Sequence, residues 1–294
     1  MSTTETLRGW PKHIRSITEM PWEYKDTFMG TFDYENDFPY CVYIPENGMW
    51  HEPSALLCML QDNYILFQGG AGKKPVVYPL KDIYRMEHGQ ILLNSWIEIG
   101  GMADGRPSVH RLTFNTVREE LFRPFFKRFR RLHTPEKEEK QIGCEDKFSF
   151  LMKISYKFLN YGRRALLEGE EASHVVHQPG IRVRPIKRLP FNKAISTNTL
   201  FVCTDTELIL LREQSVKMAT SKYGVITDYI PLSTIRKAWT QQSRYEGTAE
   251  WTVELKNGEQ LKTYVQDENR AKIASILTGS HYDINNISVY GAYH

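Results

Sequence analysis

Five cations crowd one short stretch, "GIRVRPIKRLPFNK" at residues 180–193: Arg182, Arg184, Lys187, Arg188 and Lys193. Lysine supplies a compact positive charge and arginine a planar fork of N–H donors, and both suit phosphate oxygens. On an anionic surface each basic side chain contributes about 1 kcal/mol, screened by salt. The stretch lies within a wider excess. Residues 147–193 hold ten Lys and Arg against three Asp and Glu, whereas residues 1–135 hold 16 of each. A plainer role stays open, because Arg182 and Arg184 alternate about Val183 and fit the solvent face of a strand bounded by Pro185 and Pro190. The five cations are the candidate binding residues; no candidate catalytic or metal-ligating residue emerges beside them.

Other chemistry fails on spacing. "QGGAGKKP" at residues 68–75 approaches a phosphate loop, but Phe67 stands where the first glycine belongs and Lys74 replaces the hydroxyl that would hold magnesium. It reads as a glycine-rich turn. His174 and His177, three apart on a strand, point to opposite faces and do not converge on a metal. The chain has no Cys-x-x-Cys, no His-Glu-x-x-His and no Gly-x-Ser-x-Gly. A non-catalytic chain without a cofactor is the expectation.

The elements that must carry these residues are spelled twice. "VVYPLKDIYRME" at 76–87 and "DYIPLSTIRKAW" at 228–239 share an apolar run, Pro-Leu, two polar residues and Ile. Upstream, "SALLCMLQDNYILFQG" and "NTLFVCTDTELILLRE" each read as two strands about a turn that contains Asp, with Asp62 aligned on Asp205. Downstream, "SWIEIGGMADG" matches "EWTVELKNGEQ", whose Asn257-Gly258 is a strong hairpin signal. The first copy predicts strands near 38–44, 54–60, 63–69, 76–80, 83–88, 91–100 and 109–115. A helix over 117–131 follows, opened by a Thr116–Glu119 capping box and kinked at Pro124. The second copy runs the same plan from about 172 to 280, with Asp267 capping a helix that buries Ile273, Ile276 and Leu277. Seven antiparallel strands and a terminal helix suggest a small barrel or sandwich with the helix across one open end.

These motifs resemble the bacterial pleckstrin-homology-like and GRAM-like domains. In the second copy the resemblance rests on Thr204, Asp205, Leu208, Ile209, Leu210, Ile230, Pro231, Leu232, Ile235 and Trp239. In the first it rests on Asp62, Ile65, Leu66, Pro79, Leu80 and Ile83, without the Thr and the late Trp. "FLNYGRRALLEGEE" is similar to the segment that leads into such domains. The resemblance implies a mainly β, α+β fold: two tandem seven-stranded PH-like barrels, each capped by a helix and joined by an amphipathic helix. The expected organisation is an N-terminal extension (1–35), a first PH-like domain (36–132), a linker with the amphipathic helix (133–170), a second PH-like domain (171–280) and a C-terminal tail (281–294). From Pro45 to Asp62 the first copy takes 17 positions, and from Pro179 to Asp205 the second takes 26. The surplus is the basic stretch, between the first two strands. In eukaryotic pleckstrin-homology domains that connection often holds the cations that bind inositol-phosphate headgroups. The resemblance therefore implies binding of anionic lipid or a phosphorylated ligand there.

Between the copies, Phe148, Leu151, Ile154, Phe158, Leu159 and Leu166 share one helical face, with Lys153, Lys157 and Arg164 opposite. A helix joining two domains usually buries such a face against them, which is preferred here over a helix lying in a membrane surface. The tails hold Trp10, Trp22, Tyr290 and Tyr293, and their packing does not follow from the pattern. A composition of 41% hydrophobic and 25% charged residues is globular. Four cysteines (Cys41, Cys58, Cys144, Cys203) without paired spacing argue for reduced thiols and a cytoplasmic chain. No apolar run spans a membrane and no secretory leader opens the sequence, so membrane contact would be peripheral, at the inner face. The partners expected are an anionic membrane surface or phosphorylated ligand, or alternatively a protein docked by strand addition in an assembly role. Nucleic acid ranks below both, since no recognition helix accompanies the basic segment.

Overall fold

The computed structural model of the chain describes residues 9–33, 36–46, 52–70, 72–134, 146–184, 193–214 and 224–278. The chain divides into two compact units, Met1–Leu132 and His133–His294. It is mainly β, built from antiparallel sheets and a few helices.

The first unit comprises β1 (Lys12–Ile14), α1 (Trp22–Met29), β2 (Tyr40–Ile44), β3 (Ala55–Met59), β4 (Asn63–Gln68), β5 (Val76–Pro79), β6 (Ile83–Ile91), β7 (Asn94–Ala103), β8 (Arg106–Asn115) and α2 (Arg123–His133). Strands β1 to β5 pair in sequence order, and β6, β7 and β8 form an antiparallel meander. The strand interiors are continuous apolar runs because this sheet is covered on both faces. Cys41, Leu56, Cys58, Ile65 and Phe67 face α1, where Tyr24 and Phe28 are fully buried. Val42, Leu57, Tyr64 and Leu66 point the other way and are buried too. The N-terminal residues are thus part of the core, a role the pattern did not predict.

The expected closed barrel is not found. Between β5 and β6 the chain turns through a short 3-10 helix, Leu80–Asp82, behind Pro79. Proline lacks the N–H that would continue a ladder. The Leu80 N–H instead donates to the Asp62 carbonyl at 2.7 Å, and one further bond, Asp104 N–H to the Val77 carbonyl at 3.3 Å, joins β5 to the end of β7. The strands therefore split into separate sheets.

The helix after β8 also departs from expectation. Asn115, not Thr116, is the cap: its side chain accepts from the Val117 N–H at 3.0 Å, while the Thr116 hydroxyl bonds Ser95. A 3-10 segment, Thr116–Phe122, comes first and is broken at Arg118 (φ −119°, ψ 30°). Pro124 is the second residue of α2, where a missing N–H costs no intrahelical bond, so it makes no kink. Phe122, Phe125 and Phe129 are buried, and the Tyr40 and Tyr64 hydroxyls donate to the carbonyls of Leu121 (2.8 Å) and Phe125 (2.5 Å). Leu132, expected on the same stripe, is exposed.

The second unit opens with a 3-10 turn, Ser149–Lys153, followed by α3 (Tyr156–Ala165). Its strands are β9 (His174–Gln178), β10 (Ile181–Val183), β11 (Lys193–Ser196), β12 (Thr199–Cys203), β13 (Glu207–Arg212), β14 (Gly224–Pro231), β15 (Ile235–Gln242), β16 (Thr248–Leu255) and β17 (Gln260–Gln266), and α4 (Asp267–Thr278) ends it. Strands β9, β12, β13 and β14 pair in that order, β10 pairs with β11, and β15, β16 and β17 form a meander. The features of the first unit recur. A 3-10 helix, Leu232–Thr234, follows Pro231, the Leu232 N–H donates to the Thr206 carbonyl at 2.8 Å, and β15 carries a bulge just after Ile235, as β6 does after Ile83. The ladders place Asn63 and Glu207 opposite the two prolines, so Asp62 corresponds to Thr206 rather than to Asp205.

The segment at 148–166 is two pieces instead of one amphipathic helix. Ser155 adopts an extended conformation (φ −161°, ψ 104°) and caps α3 by accepting from the Phe158 N–H. Phe148, Leu151, Phe158, Leu159 and Ala165 pack on Leu200, Val202, Ile209, Leu211 and Val225 of the sheet. Gly162 permits this docking, since a Cβ there would lie 2.7 Å from the Phe148 ring. Ile154, predicted on the buried face, is turned out by the break at Ser155 and is 54% exposed. In α4 the expected stripe of Ile273, Ile276 and Leu277 is buried. Among the described residues no helix is long and apolar enough to cross a membrane.

Candidate functional site

The basic stretch begins as a hairpin arm. Strand β10 pairs with β11 in the register Ile181↔Ser196, Arg182↔Ala194 and Val183↔Lys193, with a bulge after Ile181. Ile181 is buried, and Arg182, Arg184 and Lys193 are exposed. Paired residues of an antiparallel ladder share a face, so Lys193 lies on the Val183 side and Arg182 on the other. Arg184 follows the end of β10 and is exposed, outside the paired register. The candidate cations within the ladder are therefore divided, Arg182 on one face and Lys193 on the opposite one. Lys187 and Arg188 lie outside the described residues. No ion pair among the described residues involves Arg182, Arg184 or Lys193.

The root of the hairpin is held by polar contacts that sequence patterns do not mark. Gln178, at the end of β9, is fully buried. Its Nε2 donates to the Pro179 carbonyl (2.8 Å) and to Gln266 Oε1 (3.3 Å), and its Oε1 accepts from the Gln266 N–H (3.1 Å) and Asn269 Nδ2 (3.1 Å). One side chain thus ties β9, β17 and the first turn of α4 to the base of β10. A second chain of contacts runs from α3. Lys157 Nζ pairs with Glu213 (3.0 Å), Asn198 Nδ2 donates to the same carboxylate (2.7 Å), and Asn198 Oδ1 accepts from the Gly180 N–H (2.8 Å). A Cβ at Gly180 would come within 3.3 Å of the Asn198 nitrogen, so the strand enters the hairpin in close contact with β11's continuation. On the far side, the Ser196 and Thr263 hydroxyls lie 3.3 Å apart. The arginines consequently extend from a fixed base.

Neighbouring charge adds little that is free. Lys262 on β17 sits 3.7 Å from Glu250, and Arg236 and Lys237 on β15 share Glu254 at 3.2 and 3.4 Å. His174 and His177 occupy β9 as predicted and do not converge. His177 lies against the Phe158 ring, where burial lowers its pKa, and His174 lies beside Ser173. Among the described residues no group of three or more His, Cys, Asp or Glu is arranged to hold a metal ion. Cys41, Cys58 and Cys203 are free and buried, and Cys144 lies outside the described residues. What the arrangement offers chemically is two exposed guanidinium groups, in no ion pair among the described residues, at the end of an anchored hairpin arm. No protein-family model matches the chain, and no curated protein matches it.

Proposed function

We propose that the chain is a non-catalytic binding module of two pleckstrin-homology-like units, and that its second unit engages anionic lipid or a phosphorylated ligand through the β10–β11 hairpin. The observation that carries this reading is the exposure of Arg182 and Arg184 without an ion pair among the described residues. In the same unit Arg212, by contrast, meets Asp228 at 3.0 Å. Support for the pleckstrin-homology-like assignment comes from the plan common to both units: four paired strands (β2 to β5 in the first; β9, β12, β13 and β14 in the second), a Pro-Leu turn, a three-strand meander and a terminal helix. The test is co-sedimentation of the full chain with vesicles of phosphatidylcholine alone and with added phosphatidylserine, at low and high salt. Binding that rises with the anionic fraction and falls with salt is expected. Equal, weak binding to both vesicle types overturns the proposal.

A second reading, a protein-assembly module with no lipid role, is favoured by one feature. Strand β15, eight residues long, pairs on one side only among the described residues, with β16, and presents a ladder edge that an extended segment can join. Sedimentation of the pure chain as a monomer, with no specific partner recovered, would count against it.

A further inference from the structure

The second unit carries a set of exposed apolar side chains that neither core uses. Phe150 is 39% exposed, Met152 50%, Ile154 54% and Tyr156 67%, all within seven residues of the turn that precedes α3. Large apolar residues clustered at such exposure mark a surface that is covered in use. The platform beneath them is rigid. Leu151 is fully buried, Phe148 packs against Gly162, and the Ile154 and Ser155 N–H groups donate to the Leu151 carbonyl at 3.0 and 2.8 Å. The segment thus docks Phe148, Leu151 and Phe158 on the sheet and leaves Phe150, Met152, Ile154 and Tyr156 toward solvent.

Charge identifies what covers the second side. From Lys147 to Leu167 the sequence contains five cations and no acid. Lys153 stands between Met152 and Ile154 and, like Arg164, enters no ion pair among the described residues. Arg163 pairs with Asp146, just before this stretch, and Lys157 pairs with Glu213 on the sheet. Apolar side chains interleaved with lysine and serine match the boundary between headgroups and acyl chains. There the apolar groups sink while the ammonium groups remain among phosphates.

We infer that Phe150, Met152, Ile154 and Tyr156 form a membrane-insertion surface for an anionic bilayer, acting together with the arginine hairpin of the same unit. The inference narrows the ligand proposed above to a bilayer and rests on that reading for the sign of the surface. It predicts two separable components of binding: a salt-sensitive one from Arg182 and Arg184, and a salt-resistant one from the apolar side chains.

The test compares the wild-type chain, an Ile154→Ser/Tyr156→Ser variant and an Arg182→Glu/Arg184→Glu variant on phosphatidylcholine vesicles with and without phosphatidylserine, at low and high salt. The two substituted apolar residues are more than half exposed, so the fold is expected to persist, as read by near-ultraviolet circular dichroism. A Lys153→Glu variant provides an independent probe of the same surface. The expected result is at least a tenfold loss of partitioning for the serine variant that persists at high salt, and a loss for Lys153→Glu confined to low salt. Unchanged partitioning of the serine variant overturns the insertion surface while leaving the hairpin reading intact. A loss in the arginine variant alone does the same. Loss in the serine variant without loss in the arginine variant supports insertion and removes the hairpin instead. Self-association that the serine variant abolishes, with no vesicle binding by the wild type, overturns the inference in favour of a second copy as occupant.

Discussion

Replacing Gln178 by Leu removes the side chain that fixes the hairpin root without opening a cavity of any size. Four hydrogen bonds are lost, and two donors, the Gln266 N–H and Asn269 Nδ2, lose the shared Gln178 acceptor in a largely buried setting. A buried polar group left unsatisfied costs about 1–3 kcal/mol, and each neutral bond contributes about 1 kcal/mol net. Partial rescue of the amide by water lowers the sum, so about 2–4 kcal/mol of the second unit's stability is expected to disappear. Urea denaturation with an unchanged m-value reads the loss. Hydrogen exchange by mass spectrometry locates it, with protection falling in peptides that cover 174–184 and 260–270. Because Arg182 is only four residues beyond Gln178, binding to anionic vesicles should weaken as well. A loss below about 0.5 kcal/mol, or exchange that rises equally in both units, would refute the role given to this glutamine.

Three further outcomes follow from the first unit. His88, packed against Phe126 and 3.9 Å from Glu119, has its pKa lowered to about 4 by burial and by Arg123. An imidazole that resists protonation when folded stabilises fully above its unfolded value near 6.5 and less as pH falls toward 4. At about 1.4 kcal/mol per unit, discounted for a side chain 28% exposed, roughly 2 kcal/mol should vanish between pH 7 and pH 4. Burial raises Glu119, whose protonation offsets part of this, so the difference between wild type and His88→Gln is the quantity to measure. An NMR titration that places the His88 ring above pH 6 would contradict it. Leu92 takes φ 54° at the β6–β7 turn, a conformation that costs a branched residue about 1–2 kcal/mol. Leu92→Gly should therefore stabilise the unit by up to about 1 kcal/mol after the entropy of glycine is subtracted, and a lower melting temperature would count against the strain. Cys41 and Cys58 are cross-strand neighbours with sulfurs 3.1 Å apart and no exposed surface, and burial raises the Cys58 thiol. Peptide mapping after alkylation should find both unmodified until the chain is unfolded; prompt labelling of the native protein would show that this sheet opens readily.

Most of the strand plan was legible because it rests on local signals. Pro79-Leu80 and Pro231-Leu232 mark the same corner, and the apolar runs at Ala55–Met59 and Thr199–Cys203 mark strands buried on both sides. What periodicity could not supply was closure, which depends on whether distant strands meet, and here the proline corners keep the sheets apart. The cap at Asn115 and the break at Ser155 were missed for a related reason. Thr116 and Ser155 are each compatible with more than one local hydrogen bond, and tertiary partners such as Ser95 choose among them. At the candidate site, composition singled out the cations, whereas the split of Arg182 and Lys193 onto opposite faces follows from a register that no local signal encodes. Gln178 and Asn198 were invisible to motif reading, since their importance comes from partners distant in sequence, 91 residues away for Asn269 and 15 for Glu213.

The most direct test of the proposed activity is the partition coefficient of Arg182→Ala/Arg184→Ala on vesicles containing phosphatidylserine at low salt, relative to wild type. Two cations at about 1 kcal/mol each predict a loss of roughly thirtyfold that shrinks as salt is added. Identical partitioning of the two proteins across the salt series would contradict an anionic ligand held by this hairpin.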